Sequence, residues 1–200
     1  LKATGLDFQE DKLENEFERL AYILLQNRMN AFMYRDFQSR NVMVHKEEDG
    51  TEVPYFIDFQ GGRKGPVFYD VASFLWQARA QYPAELRQRL VEEYITALKG
   101  YYPAIDSDKF IDTLNLYVLF RTLQVLGAYG FRGYFEKKPH FIQSVPYAIE
   151  NLRQLLREDY PEYPYLCSVL RELTELKQFK DELKKRQLTV KVMSFAYKKG

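Results

Sequence analysis

The chain has 200 residues, 46% hydrophobic and 28% charged, and its 29 Lys and Arg against 28 Asp and Glu leave a net charge of +1. This length and composition predict one or two globular domains with a real core. The near-neutral balance excludes a broad basic field for nucleic acid or an acidic tail, so a nucleic-acid partner is not expected for this segment.

Cys167 is the only cysteine, which excludes an intrachain disulfide and a cysteine-based metal cluster. His45 and His140 are too few for a histidine-rich metal site. No apolar run reaches the roughly 18 residues of a membrane span, and the opening "LKATGLDFQEDK" is mixed and acidic, unlike a signal peptide. The expected setting is reducing and cytoplasmic, without a membrane partner. A start at Leu1 and an end in "SFAYKKG" read as a piece of a longer protein.

Leu13, Phe17, Leu20, Ala21 and Leu24 recur at helical spacing, which predicts a helix over about residues 10–28. "NVMVH" and "VPYFIDF" are short β-branched and aromatic runs joined by "KEEDGTE", and they predict one small β-hairpin. "GGRKGP" reads as a loop because its glycines and Gly-Pro pair punctuate it. Helices follow almost throughout. "YDVASFLWQARAQ" opens the series, and "PAELRQRLVEEYITALKGYY" places Leu86, Leu90, Tyr94 and Leu98 on one face. "DSDKFIDTLNLYVLFRTLQVLGAYGF" offers Asp106 or Ser107 as N-cap and Gly127 or Gly130 near its end. It is apolar nearly all round over Leu114 to Leu126, which predicts a buried central helix. "SVPYAIENLRQLLRE" begins at Ser144 with Pro146 in its first turn, and a last helix is expected over about Pro164 to Lys185. "LTVKVMSF" then reads as a strand, so a following domain is expected from residue 187.

Chemistry concentrates in "YRDFQSRNVMV" and "YFIDFQGGRKGPVFYD". Asp36 and Asn41 have the spacing D-x-x-x-x-N, and Asp58 closes the second predicted strand. Phosphoryl transfer needs a carboxylate to orient the acceptor hydroxyl and oxygen ligands for Mg²⁺. Asp36 suits the first role, Asn41 and Asp58 the second. Taken singly, each residue also reads as a loop residue capping a turn. Arg35 before the Asp and "GPVFYDVASFL" after the second acid add weight as an ordered set.

That set, "YRDFQSRNVM…YFIDFQGGRKGPVFYDVASFL", resembles the C-terminal lobe of the aminoglycoside phosphotransferase (choline-kinase-like) family, within the protein-kinase-like fold. The similarity covers about residues 10–157 and is greatest to bacterial kinases that phosphorylate N-acetylated amino sugars at the anomeric hydroxyl. It implies a mainly α fold with a small β-hairpin, lacking its N-terminal lobe. Residues 1–186 would be the helical lobe and residues 187–200 the first strand of another domain. It also implies an ATP- and Mg²⁺-dependent kinase acting on a small-molecule hydroxyl of a sugar or amino sugar. Asp36 then resembles the base and Asn41 and Asp58 the metal ligands. Arg35 and Asp70 resemble the groups that support the catalytic loop, Asp70 by holding its backbone. Asp70 reads equally as an N-cap for "VASFLW". Tyr34 stands where the family usually has His, and Gln60 where protein kinases have Gly.

The phosphate loop, strand lysine and partner glutamate of an N-terminal lobe have no counterpart in residues 1–35, so this segment alone is expected to bind nucleotide poorly. The tail "LTVKVMSFAYKKG" resembles the opening strand of the C-terminal domain of RapZ, an RNase adaptor. A catalytically inactive regulatory or RNA-linked module is therefore the rival reading. Trp76 and several tyrosines are read mainly as core. Arg40, Arg63 and Lys64 are read as solvated loop charges, and residues contacting substrate are not assigned.

Overall fold

The computed structural model describes residues 4–158 and 160–179. The described parts of Leu1–Leu20 and Leu126–Gly200 make one compact unit, and Ala21–Val125 make the other. Among the described residues no helix is long and apolar enough to cross a membrane.

The chain enters through α1 (Glu10–Leu25), three residues shorter than its periodicity suggests. The Asn27 side chain ends it by accepting the Met29 N–H at 2.9 Å, a local turn that competes with another helical turn. The buried stripe is Leu13, Glu16, Leu20 and Leu24, while Phe17 is 38% exposed. Glu16 thus replaces Phe17 on the inner face. Its carboxylate accepts the N–H groups of Tyr165 (3.1 Å) and Leu166 (2.6 Å), in the first turn of α7 (Pro164–Glu175). Those donors have no partner within their own helix. In the same unit Leu166 and Leu170 of α7 are buried with Ile149 and Leu152 of α6 (Val145–Leu155). Before α6 lie a π-helical turn, Phe131–Phe135, and α5 (Pro139–Ile142). α7 is interrupted after Glu175, where Leu176 turns extended at ψ 135°; residues 177–179 are helical again, and 180–185 of the expected helix lie outside the described residues. The expected strand in 188–195 and the domain start at residue 187 lie outside the described residues.

The second unit holds two separate antiparallel pairs. β2 (Val42–Lys46) and β3 (Glu52–Phe56) form the expected hairpin, with Val42 opposite Phe56 and Lys46 opposite Glu52. β1 (Asn30–Met33) pairs with β4 (Arg63–Pro66), which lies inside the expected loop. The glycine here marks close approach, not a turn. A Cβ on Gly65 would lie 2.7 Å from Met33 Sδ and 3.1 Å from Met33 Cβ, so any larger residue here would have to displace the Met33 side chain.

β4 runs directly into α2 (Val67–Leu75), whose first N–H donates to the Met29 carbonyl at 3.1 Å. α2 ends at Leu75, and the Gln77 amide donates to the Phe74 carbonyl in the turn that follows. On α3 (Ala84–Leu98) Leu98 of the expected face is buried and Leu86, Leu90 and Tyr94 are half-buried, while Val91 and Ile95 complete the inner face. α4 (Ser107–Gly130) carries its N-cap on Asp106, which accepts the N–H groups of Asp108 and Lys109 at 3.1 Å each. Over Leu114 to Leu126 only Gln124 is exposed, in accord with the buried helix predicted there. Phe68 of α2 is fully buried against Phe110 and Tyr117 of α4, with ring centroids 4.5 and 5.2 Å away. Burying such a ring contributes about 1.5–3 kcal/mol. The result is mostly helical with two small sheets, compatible with part of a kinase-like fold.

Tyrosine hydroxyls tie distant segments of this unit together through main-chain carbonyls. Tyr94 donates to Val67 at 2.8 Å, Tyr102 to Asn30 at 3.0 Å and Tyr117 to Leu24 at 2.9 Å. Burial pushes the Tyr94 phenol up to about 12, helped by the negative charge of Asp70 and by Tyr102. A phenol raised in the folded state contributes stability that is complete below its ordinary value near 10 and is lost as pH rises through about 12. Tyr94→Phe should cost about 1 kcal/mol at pH 7. Chemical unfolding measured against pH should also show a shallower loss between those two values than the parent chain.

Candidate active site

The site begins with a carboxylate that receives backbone. Asp70, on the first turns of α2, accepts the Tyr34 N–H on Oδ2 at 2.5 Å and the Arg35 N–H on Oδ1 at 2.9 Å. α2 starts at Val67, so Asp70 sits inside the helix and does not cap it. Arg35 adopts a left-handed backbone, φ +77°, which costs a non-glycine residue on the order of 1–3 kcal/mol. Two hydrogen bonds to a charged acceptor, about 1.5–3 kcal/mol each, offset that strain. Burial raises the Asp70 pKa, opposed by the same two N–H groups and by the charge of Arg121. The Arg121 guanidinium lies 4.6 Å over the Tyr69 ring and donates to its hydroxyl at 2.8 Å. The Arg35 side chain reaches the Gly61 carbonyl at 3.4 Å, joining its loop to the turn before β4.

The next residue in the loop is Asp36. Gln38 Nε2 donates to its Oδ1, Arg40 Nη2 to its Oδ2 at 3.1 Å, and Asn41 Nδ2 to its main-chain carbonyl at 2.8 Å and its Oδ2 at 3.4 Å. The carboxylate is thereby fixed while 40% of the side chain stays exposed. A fixed, accessible acceptor of this kind can orient a hydroxyl group.

Asn41 ends a 3₁₀ turn (Ser39–Asn41) and is buried. Its amide nitrogen is committed to Asp36, so its amide oxygen is the group left for a cation. Its carbonyl accepts the Ile57 N–H at 3.0 Å, which extends the hairpin ladder one step beyond Val42 and Phe56 and brings the Asp58 backbone alongside. Asp58 is not on the strand as expected. It lies two residues past β3 in a left-handed turn, φ +66°. Gln60 Nε2 donates to its Oδ1 at 2.6 Å, leaving Oδ2 without a protein donor among the described residues. Gln60 therefore supports an acid in the position where glycine was the reference.

Tyr34 closes the arrangement from beneath. It is 8% exposed, and its hydroxyl donates to the Ile57 carbonyl, next to Asp58. Burial raises its pKa, followed by the negative charges of Asp58, Asp36 and Asp70, so the phenol remains a donor. Phe37 packs 5.5 Å from Tyr34 and stacks on Phe74 of α2 at 4.7 Å. An aromatic floor thus carries the loop.

The expected residues fall into two directly bonded pairs, Asp36 with Asn41 and Arg35 with Asp70, and Asp58 joins them through the backbone at Ile57. Gln38, Gln60 and Phe74 were not anticipated. A signal for the glutamines exists in the repeated D-F-Q of 36–38 and 58–60, where each Gln donates back to the acid two residues before it. Trp76 faces the Arg87 guanidinium at 5.3 Å, and Arg63 and Lys64 lie on β4. Among the described residues no cluster of three or more His, Cys, Asp or Glu side chains is placed to hold a metal. One amide oxygen and one carboxylate nevertheless suit Mg²⁺, which keeps several waters and phosphate oxygens and takes one or two protein ligands.

Comparison with known proteins decides the family. The model of the phosphotransferase enzyme family, APH, matches residues 2–106, more than half of the chain. The chain belongs to this family. It is also 28% identical, over 145 residues, to the N-acetylmuramate/N-acetylglucosamine kinase of Neisseria meningitidis serogroup B (strain ATCC BAA-335 / MC58). The match covers 72% of this chain and 42% of that kinase, so the chain spans less than half the length of this curated relative. Within the phosphotransferase family, the resemblance to amino-sugar kinases is thus supported by a relative as well as by the motifs.

The backbone clamp gives a direct test. Asp70→Ala leaves two N–H groups without their acceptor and should cost about 1–3 kcal/mol for each that stays buried. Hydrogen exchange at the Tyr34 and Arg35 amides should accelerate more than at the β2–β3 hairpin. Equal acceleration at both places would mean that Asp70 serves general stability and does not specifically hold this loop.

Proposed function

We propose that the protein is an ATP- and Mg²⁺-dependent phosphotransferase whose acceptor is a hydroxyl of an N-acetylated amino sugar, with Asp36 as base. The observation that carries the reading is the juxtaposition of an accessible carboxylate at Asp36 with Asn41, in a chain of the phosphotransferase family related to an amino-sugar kinase. The acceptor hydroxyl hydrogen-bonds to Asp36, which directs its lone pair at the γ-phosphoryl group of ATP. The sugar O–P bond forms as the bond to the ADP oxygen breaks, and Asp36 takes the hydroxyl proton. Asn41 Oδ1 and Asp58 hold Mg²⁺, which when bound neutralises charge on the phosphates. Arg35 and Asp70 keep the loop in the conformation that presents Asp36, and Gln38 and Gln60 fix the two acids. Positioning does the work here, without a covalent intermediate.

The test uses the full-length protein. ADP release with Mg-ATP is followed against N-acetylmuramate, N-acetylglucosamine, other sugars, choline and aminoglycosides. Turnover that depends on an N-acetylated amino sugar and falls at least about 100-fold in Asp36→Asn is the expected result. Turnover with choline or an aminoglycoside alone would replace the acceptor. Background turnover throughout, in folded protein, would favour the inactive regulatory module.

A further inference from the structure

Arg40 is the charged residue beside Asp36 that the mechanism leaves unused. It stands on the 3₁₀ turn anchored by buried Asn41, so its backbone is fixed while its side chain is 68% exposed. Among the described residues its side-chain hydrogen bond is to Asp36 Oδ2, from Nη2 at 3.1 Å. Among the described residues the rest of its fork of N–H donors meets no protein acceptor.

Stability does not account for this pair. An exposed ion pair four residues apart contributes about 0–1 kcal/mol, and Asp36 already receives Gln38 and Asn41. The neighbouring cation cannot replace it: the Arg35 side chain is turned to the Gly61 carbonyl. Among the described residues Arg40 is the cation paired with Asp36.

An acceptor whose hydroxyl sits on Asp36 places the rest of its small ring beside this guanidinium. If that ring carries a carboxylate, two negative charges are brought together, and the repulsion grows as water is excluded. A guanidinium between them offsets it and presents a planar fork that matches a carboxylate in a bidentate contact. A neutral acceptor gains neither effect. We propose that Arg40 selects acceptors bearing a carboxylate on the same small sugar as the reacting hydroxyl, releasing part of its contact with Asp36 to bind that group. The proposal rests on the amino-sugar kinase reading above. The other anion available to Arg40 is the transferred phosphoryl group, which is common to all acceptors and so confers no preference among them.

The experiment compares kcat/KM for N-acetylmuramate, which carries a carboxylate, with that for neutral N-acetylglucosamine. It uses the full-length protein and its Arg40→Gln and Arg40→Lys variants, with Tm measured for each. The acid-to-neutral ratio should fall at least about tenfold in Arg40→Gln, the size expected for losing a charged contact. The loss should lie mainly in KM for the acidic sugar, and Arg40→Lys should recover part of it. An equal fall with both sugars assigns Arg40 to the phosphoryl group and overturns the proposal, as does an unchanged ratio. A parent protein inactive on both sugars, yet active on another acceptor, would instead remove the amino-sugar reading and this proposal with it.

Discussion

Everything at the site depends on one carboxylate receiving two consecutive backbone amides. Asp70 lies within α2, a helix fixed by the burial of Phe68, and accepts the N–H groups of Tyr34 and Arg35. A left-handed residue at 35 has no reason to persist in a free loop, where an extended or helical backbone is lower in energy. Held by Asp70, it turns the chain so that Asp36 follows at the surface with Asn41 five residues on and within hydrogen-bonding distance. The packing of a helix core is thereby converted into the orientation of one exposed acid.

The same economy recurs on the other side. Asp58, like Arg35, has a left-handed backbone, and it is held at its flank by the bonds of Ile57 to Asn41 and to the Tyr34 hydroxyl. Each acid carries its own glutamine two residues later. Local hydrogen bonds set side-chain direction, while longer ones through Tyr34, Ile57 and Asp70 set position. In the phosphotransferase reading this division matters, because a base and metal ligands acting by positioning lose rate when displaced by about 1 Å.

Much of this was legible in the sequence because its causes are local. The pair Asp36 and Asn41 lies on one turn, and the β-branched and aromatic runs joined by "KEEDGTE" mark the hairpin. The apolar girth of Leu114 to Leu126 announces a buried helix, and Asp106 caps it as its residue type suggests. What escaped depends on distant partners. β4 looked like a loop because Gly65 reads as punctuation until Met33 is seen against it. Nothing near Glu16 in the sequence accounts for its burial, because the N–H groups it accepts belong to α7, about 150 residues away. Tyr34, which stands where the family usually has His, reaches the Ile57 carbonyl with its hydroxyl while its ring stays in the aromatic floor. The first helix ends at Leu25, before the expected 28, because a side-chain turn at Asn27 competes with it.

The central claim is that Asp36, Asn41 and Asp58 are parts of one phosphotransfer site. Its most direct test is Mn²⁺ affinity, read by electron paramagnetic resonance in the full-length protein with ATP, in the parent and in Asn41→Ala and Asp58→Ala. The account predicts that each substitution weakens Mn²⁺ binding at least about tenfold, as loss of a metal ligand or its support does, while Asp36→Asn shifts it less. Mn²⁺ affinity unmoved by both alanine variants, in protein that remains folded, would contradict it.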